Sequence, residues 1–264
     1  MTTASRSVGR KSRWRGSLVP VITVVIVLVI WEAVVRVFEL PRWLLPAPTA
    51  IWGGFLETIN TLPGHVWATT SETLAGFLLA VITGIGMAVL IAYTPWLERA
   101  IYPLLVAIQS VPKIAIAPVV IIWFGFGFLK AIVIVYLVCF FPIVISTVTG
   151  LKSTPSEYIE MARTYEASRW EIFRRVRFPS ALPHIFVGLK VGISLAVIGA
   201  VIAEFVGARE GLGFLIIISG GNVRTDIAFA AIILLALISV LLFYAIVALE
   251  RWLVPWSEER AQPL

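Results

Sequence analysis

Three groups of residues have types and spacings that could do chemistry. The densest is the charged stretch EYIEMARTYEASRWEIFRRVRFPSALP, Glu157 to Pro183, set between very apolar runs. The second is Gln109, Ser110 and Lys113, polar residues inside an apolar run. The third is Ser194 and Glu204, inside another. An ionisable or polar side chain within an apolar span is expensive to keep there and marks a path or a paired site. Lys113 suggests attraction of an anionic solute, or an ion pair or carbonyl partner within the bundle. Other chemistries lack their residues. His65, His184 and Cys139 are the only histidines and cysteine and share no metal-ligand spacing. No Gly-x-x-x-x-Gly-Lys-Ser/Thr loop cradles a phosphate, and no Gly-x-Ser-x-Gly elbow presents a nucleophile. The expectation is a chain with no catalytic residue, no metal and no cofactor of its own.

The elements that position these groups follow from composition. Apolar residues make up 59% of the 264 and charged residues 14%, against about 45–50% and about 25% in soluble domains. The apolar residues fall in six runs, each long enough to cross a ~30 Å hydrocarbon layer: Leu18–Phe38, Trp67–Tyr93, Ile101–Phe124, Phe128–Leu151, Ile185–Val206 and Ile227–Leu249. This predicts an all-α integral membrane protein. The third run carries Pro103, Pro112 and Pro118 and is either kinked or broken. Residues 1–17 read as a basic N-terminal arm, 18–254 as the membrane domain and 255–264 as a tail.

The net charge of +6 does not mean nucleic acid, because the basic residues cluster at the ends of apolar runs. Placing both termini inside puts fourteen of the 21 Lys and Arg on that side. They lie in the arm, at Arg99, Lys152, Arg251 and Arg260, and in the charged stretch. Only Arg36, Arg42, Lys130, Arg209 and Arg224 are left outside.

The outer connection LPAPTAIWGGFLETI predicts an interfacial helix capped by Thr49, with Ile51, Trp52, Phe55, Leu56 and Ile59 on one face. GAREGLGFLIIISGGNVRTD predicts a short re-entrant or surface helix between glycine turns.

The charged stretch has its own plan. Thr154 or Ser156 caps a first helix, on which Tyr158, Met161, Ala162 and Tyr165 share a face at i, i+3, i+4 and i+7. Ser168 and Glu171 have capping-box spacing for a second, Arg169 to Arg177, which Pro179 and Pro183 would end. Such a helical pair lying on the membrane face either rests on anionic lipid or docks a partner.

The spacing also carries a resemblance. Glu160-Met161-Ala162, three residues, Glu166, nine residues, then Val176-Arg177-Phe178-Pro179 resembles the EAA loop of binding-protein-dependent ABC importer permeases, Glu-Ala-Ala…Gly…Ile-x-Leu-Pro. Glu166 stands where that pattern has Gly, a position where a positive φ would strain a larger residue. PKIAIAPVVIIWFGFG, FFPIVISTVTGL and AVIGAVIAEFVGAREGLGFLI resemble the members handling nitrate, sulfonate, taurine and bicarbonate, and the likeness runs from about Leu18 to Trp256.

The resemblance implies a type I importer permease fold in the bacterial inner membrane. It implies a homodimer, two cytoplasmic ATPase subunits holding ATP and Mg, and an extracytoplasmic binding protein. Residues 152–183 would be the coupling loop. Its contacts would be Glu160, Met161, Ala162, Arg163, Glu166, Arg169, Val176, Phe178 and Pro179. Gln109, Ser110, Lys113, Ser194 and Glu204 are the candidates for the substrate path. A small anionic solute, or a neutral or aromatic heterocycle such as a vitamin precursor, would be carried. A stand-alone channel or secondary transporter is the reading from a different class, and it leaves the loop spacing unexplained.

Overall fold

A computed structural model describes residues 13–109 and 111–256, and these are helical throughout apart from short connections. The N-terminal arm to residue 12, Ser110 and the tail from residue 257 lie outside the described residues. The helices are α1 (Arg13–Val37), α2 (Pro48–Thr58), α3 (Leu62–Tyr93), α4 (Pro95–Gln109), α5 (Ala117–Phe124) and α6 (Phe128–Lys152). They continue as α7 (Ser156–Thr164), α8 (Arg169–Ile172), α9 (Phe178–Phe205), α10 (Leu212–Gly221) and α11 (Thr225–Leu253).

The apolar runs fold as expected where hydropathy alone decides. α3, α6 and α11 are single helices long and apolar enough to cross a membrane. α6 is the centre, packed between α3 and α9 with Ile143, Val144, Val148 and Leu151 fully buried. Apolar side chains gain little from leaving lipid, so such packing depends on close backbone approach. Gly76 and Gly199 supply it: a Cβ on either would sit within 3.0 Å of Val135 atoms.

α1 is peripheral, with every side chain from Val21 to Ile30 exposed. Its anchor is Glu32, whose carboxylate accepts from Arg36 Nε at 2.7 Å and from Thr49 N and Oγ1 at 3.1 and 2.8 Å. Thr49 is therefore not the cap of α2. The helix starts one residue earlier, at Pro48, which needs no N–H partner in the first turn. α2 turns Ile51 and Gly54 inward against α11 and leaves Trp52, Leu56 and Ile59 exposed, so its apolar residues do not share one face.

Of the expectations about prolines, the third run follows its broken alternative and the end of the second loop helix is corrected. The third run is not one helix: α4 ends at Gln109, and a 3₁₀ turn over Lys113–Ile116 leads into α5 at 91° to α4. Pro112 and Pro118, both without an N–H, sit at the start of the turn and in the first turn of α5. Conversely, Pro179 and Pro183 do not end the second loop helix. α8 passes through a π turn, Phe173–Arg177, straight into α9, giving 37 helical residues from Arg169 to Phe205. The π turn sends the Phe178 N–H to the Phe173 carbonyl, so the ladder is already opened where Pro179 has no donor to give. At ~1.5 Å per residue this rod exceeds a ~30 Å hydrocarbon layer by several turns, which carries its arginines clear of the apolar zone.

Candidate functional site

The described residues gather their polar side chains at opposite ends of α6, which is 25 residues or about 37 Å long.

At the α10 end, α3, the start of α6, the end of α9 and the connections leading into α6 and α10 line a cavity of 810 Å³ whose wall includes Trp67, Glu72, Phe126, Lys130, Glu204 and Arg209. Glu204, in the last turn of α9, is only 2% exposed. One carboxylate oxygen accepts from Thr69 Oγ1 at 2.6 Å and the other from the Gly213 N–H. Thr69 Oγ1 in turn accepts from the Leu212 N–H at 2.8 Å, and the Gly211 N–H donates to His65 Nδ1 at 3.1 Å.

The amides of Gly211, Leu212 and Gly213, which open α10, thus end on α3 or α9. A carboxylate there also complements the positive end of the helix dipole. Gly211 makes the approach possible: its φ is +114°, and a Cβ would overlap the Glu204 carboxyl. Lys130, 2% exposed, donates to the Val206 carbonyl and sits 5.6 Å from the Phe126 ring centroid. Glu72 faces the same space, within the electrostatic reach of Glu204 and Lys130, and its buried Oε2 has no hydrogen-bond partner.

The α7 end is built differently. Pro155 precedes α7 and no side chain caps it, so neither Thr154 nor Ser156 acts as expected. The Thr154 hydroxyl is instead buried without a partner. α7 buries no residue: Tyr158, Met161 and Tyr165 are 56%, 57% and 81% exposed. Its C-terminus closes as a Schellman turn. The Glu166 N–H donates to the Arg163 carbonyl at 2.9 Å and the Ala167 N–H to the Ala162 carbonyl at 3.1 Å. Glu166 takes φ +57° there, the left-handed geometry that favours glycine.

The Ser168–Glu171 capping box forms in both directions. Ala162, Glu166 and Val176 line one recess of 490 Å³ with Tyr165 and Arg175. Glu160, Met161, Arg163 and Arg169 are exposed, and Phe178 and Pro179 are half-buried in the connecting rod. The loop meets the bundle through rings: Phe173 lies 5.6 Å from Tyr93, 5.4 Å from Trp170 and 5.7 Å from Phe178, and Arg177 lies over Tyr93.

The expected path residues do not converge. Lys113 Nζ donates to the Gln109 carbonyl at 2.7 Å, closing the break after α4. Ser194 Oγ bonds the Lys190 carbonyl one turn back on its own helix, about 15 Å along α9 from Glu204. Lys190 pairs with Glu250 of α11 at 3.0 Å. Only Glu204 reaches the cavity; Ser110 lies outside the described residues. Sequence reasoning passed over Glu72 and Lys130. Glu72 was findable as an ionisable residue inside the Trp67–Tyr93 run. Lys130 was counted among the outer basic residues, although it stands two residues into its helix.

The profile of the binding-protein-dependent transport system inner membrane component matches residues 80–256. The chain is 40% identical over 250 residues to the riboflavin transport system permease protein of Chloroflexus aurantiacus, covering 94% of this chain and 93% of that one. It is 37% identical to the formylaminopyrimidine transport permease protein of Halalkalibacterium halodurans, over 92% of this chain and 98% of that one. It is 30% identical to the taurine transport system permease protein of Escherichia coli, over 95% of each. Among solved structures, the inward-facing MetNI methionine ABC transporter superposes with a TM-score of 0.65 at 22% identity, over 73% of this chain and 95% of that one, which shows the type I fold. The chain belongs to the binding-protein-dependent inner membrane components, the non-enzymatic permease subunits of ABC importers that work with ATPase and binding-protein partners.

Proposed function

We propose that this permease pairs with a second copy and imports a small aromatic heterocycle. The α7 end would face the cytoplasm, as would both termini, and the α10 end would face the binding protein. α7 is the coupling helix, seated in a cleft of one ATPase subunit. ATP and Mg sit on that subunit, and closure of the ATPase pair drives the bundle from inward- to outward-facing.

The observation that carries this reading is α7 itself. It is a helix with an apolar face, Tyr158, Met161 and Tyr165, that stays more than half exposed among the described residues yet is held in shape by its own turns. Glu160, exposed beside that face, supplies a charge-assisted anchor. The basic side chains at this end, Arg163, Arg169, Arg174 and Arg175, are those expected on the inner side.

For the solute, the relatives at 40% and 37% identity are named for riboflavin and formylaminopyrimidine, and the one named for taurine stands at 30%. The anion reading rests on that taurine relative and on Lys113, whose amine is engaged by the Gln109 carbonyl.

The test is uptake by proteoliposomes holding the permease with its ATPases and binding protein. Glu160→Arg and Ala162→Asp are expected to lower uptake and solute-stimulated ATP hydrolysis more than tenfold. Wild-type rates in both variants would remove α7 from the coupling role.

A further inference from the structure

We propose that the 810 Å³ cavity at the α10 end binds a planar heterocycle through one of its N–H groups, which donates to Glu72 while the ring stacks on Trp67 or Phe126. This rests on the permease reading above and names the site that the solute meets in this chain.

The other charges deep in the wall are already engaged. Each carboxylate oxygen of Glu204 already accepts, one from Thr69 and the other from the Gly213 amide, and Lys130 donates to the Val206 carbonyl. Glu72 is the group left over: its Oε2 is out of contact with solvent and nothing donates to it. A buried acceptor in that state is destabilising until a donor arrives. A ring imide or amino group would supply that donor.

The same wall exposes aromatic surface. Trp67 and Phe126 are each 74% exposed and Phe128 is 49% exposed, so a flat ring finds a flat partner. The charges favour a neutral or donor-rich ligand over an anion. Glu72 and Glu204 face one ammonium, Lys130, and the rim residues Arg209 and Glu210 offset each other. The volume falls within the ~300–1,000 Å³ range of small-molecule sites.

The test uses the permease–ATPase complex in nanodiscs without binding protein. Riboflavin is the probe, its N3-methyl derivative is the analogue lacking the imide N–H, and binding is read by quenching of flavin fluorescence. The wild type should bind riboflavin saturably and the N3-methyl compound at least tenfold more weakly. Glu72→Leu should lose most of the riboflavin affinity and the discrimination with it. Glu72→Gln, which keeps shape and an acceptor, should weaken binding about threefold, and Trp67→Ala should weaken both ligands alike.

Loss of discrimination separates recognition from a merely structural role, which would lower the unfolding midpoint and both affinities together. No saturable binding by the wild type would overturn the site, as would equal preference for the two ligands in wild type and Glu72→Leu. Should Glu72→Leu fail to fold, Glu72→Gln binding both ligands as the wild type does would overturn it. Proteoliposomes of the full complex separate this from the transport reading. Riboflavin uptake undiminished in Glu72→Gln and Trp67→Ala sinks the site alone, whereas uptake of taurine but not riboflavin sinks the heterocycle reading and the site together.

Discussion

The two ends of the bundle hold their shape by opposite means. At the α10 end the polar contacts join residues far apart in the chain: Thr69 to Glu204, His65 to Gly211, Glu57 to Arg224. At the α7 end the hydrogen bonds that shape the loop are local, spanning three to five residues within the Schellman turn and the capping box. Its tie to the bundle is made of edge-on and tilted rings and the Lys152–Glu98 pair. A segment that is self-capped and rests on rings can present a whole face to a partner and move as a unit. A helix whose opening amides, Gly211 to Gly213, end on two neighbours cannot move without breaking them. The first is built to be engaged, the second to stay in place.

The largest effect that could break this contrast is loss of the Glu204 carboxylate. Glu204→Ala leaves the Thr69 hydroxyl and the Gly213 amide without an acceptor in a buried place. The expected cost is about 3–5 kcal/mol, in the range for removing one partner of a buried charged network. At the other end, Ser168→Ala removes a local cap worth about 1 kcal/mol. Thermal unfolding of the detergent-solubilised complex measures both. Equal losses would show that the α7 end is not held locally, and the distinction between the ends would fall.

The same contrast explains what could be read in advance. The Ser168–Glu171 box was legible because its two halves stand three residues apart. The oddity of Glu166 was legible because a loop pattern specifies its neighbours. α3, α6 and α11 were legible because composition alone makes a span. The start of the long rod at Arg169 was not, because a π turn ahead of Pro179 leaves no mark in hydrophobic periodicity. Thr49 was misread as a cap because its partner, Glu32, is seventeen residues away on another helix. Glu72 stood in plain view in its apolar run. What makes it distinctive is the company of Lys130 and Glu204, which only the packing of α3, α6 and α9 brings together.

A smaller effect sharpens the picture at the α7 end. Glu166 sits at φ +57°, where a side chain costs on the order of 1 kcal/mol over glycine. Glu166→Gly removes that strain but adds chain entropy to the unfolded loop, so the net gain is about 0.5 kcal/mol. Glu166→Val, with a branched Cβ, should lose about 1 kcal/mol or more. Because the turn is local, the change should register in hydrogen exchange of residues 156–172 and leave the α10 end untouched. Changed protection in α10 would mean that the two ends are more tightly connected than their bonds suggest.

The smallest effect belongs to the exposed edge of the α10 end. The Arg224 guanidinium donates to both oxygens of Glu57 and to Asp226 at 3.0 and 3.1 Å, tying α2 to the start of α11. The hydrogen bonds and charge of Arg224 hold the Glu57 carboxyl below its ordinary value of 4.5. A carboxyl with a lowered value in the folded state contributes stability that is complete above the ordinary value and fades as the pH falls through the lowered one. The α2 tie should therefore be indifferent to pH from 6 to 8 and weaken below about 4. Glu57→Gln should remove that acid-side dependence while hardly changing stability at pH 7, since exposed pairs contribute little. Proteolytic susceptibility of the α2 connection, followed from pH 7 to pH 3, checks it. An unaltered acid transition in Glu57→Gln would place the titrating group elsewhere and leave the α10 end held by its buried network alone.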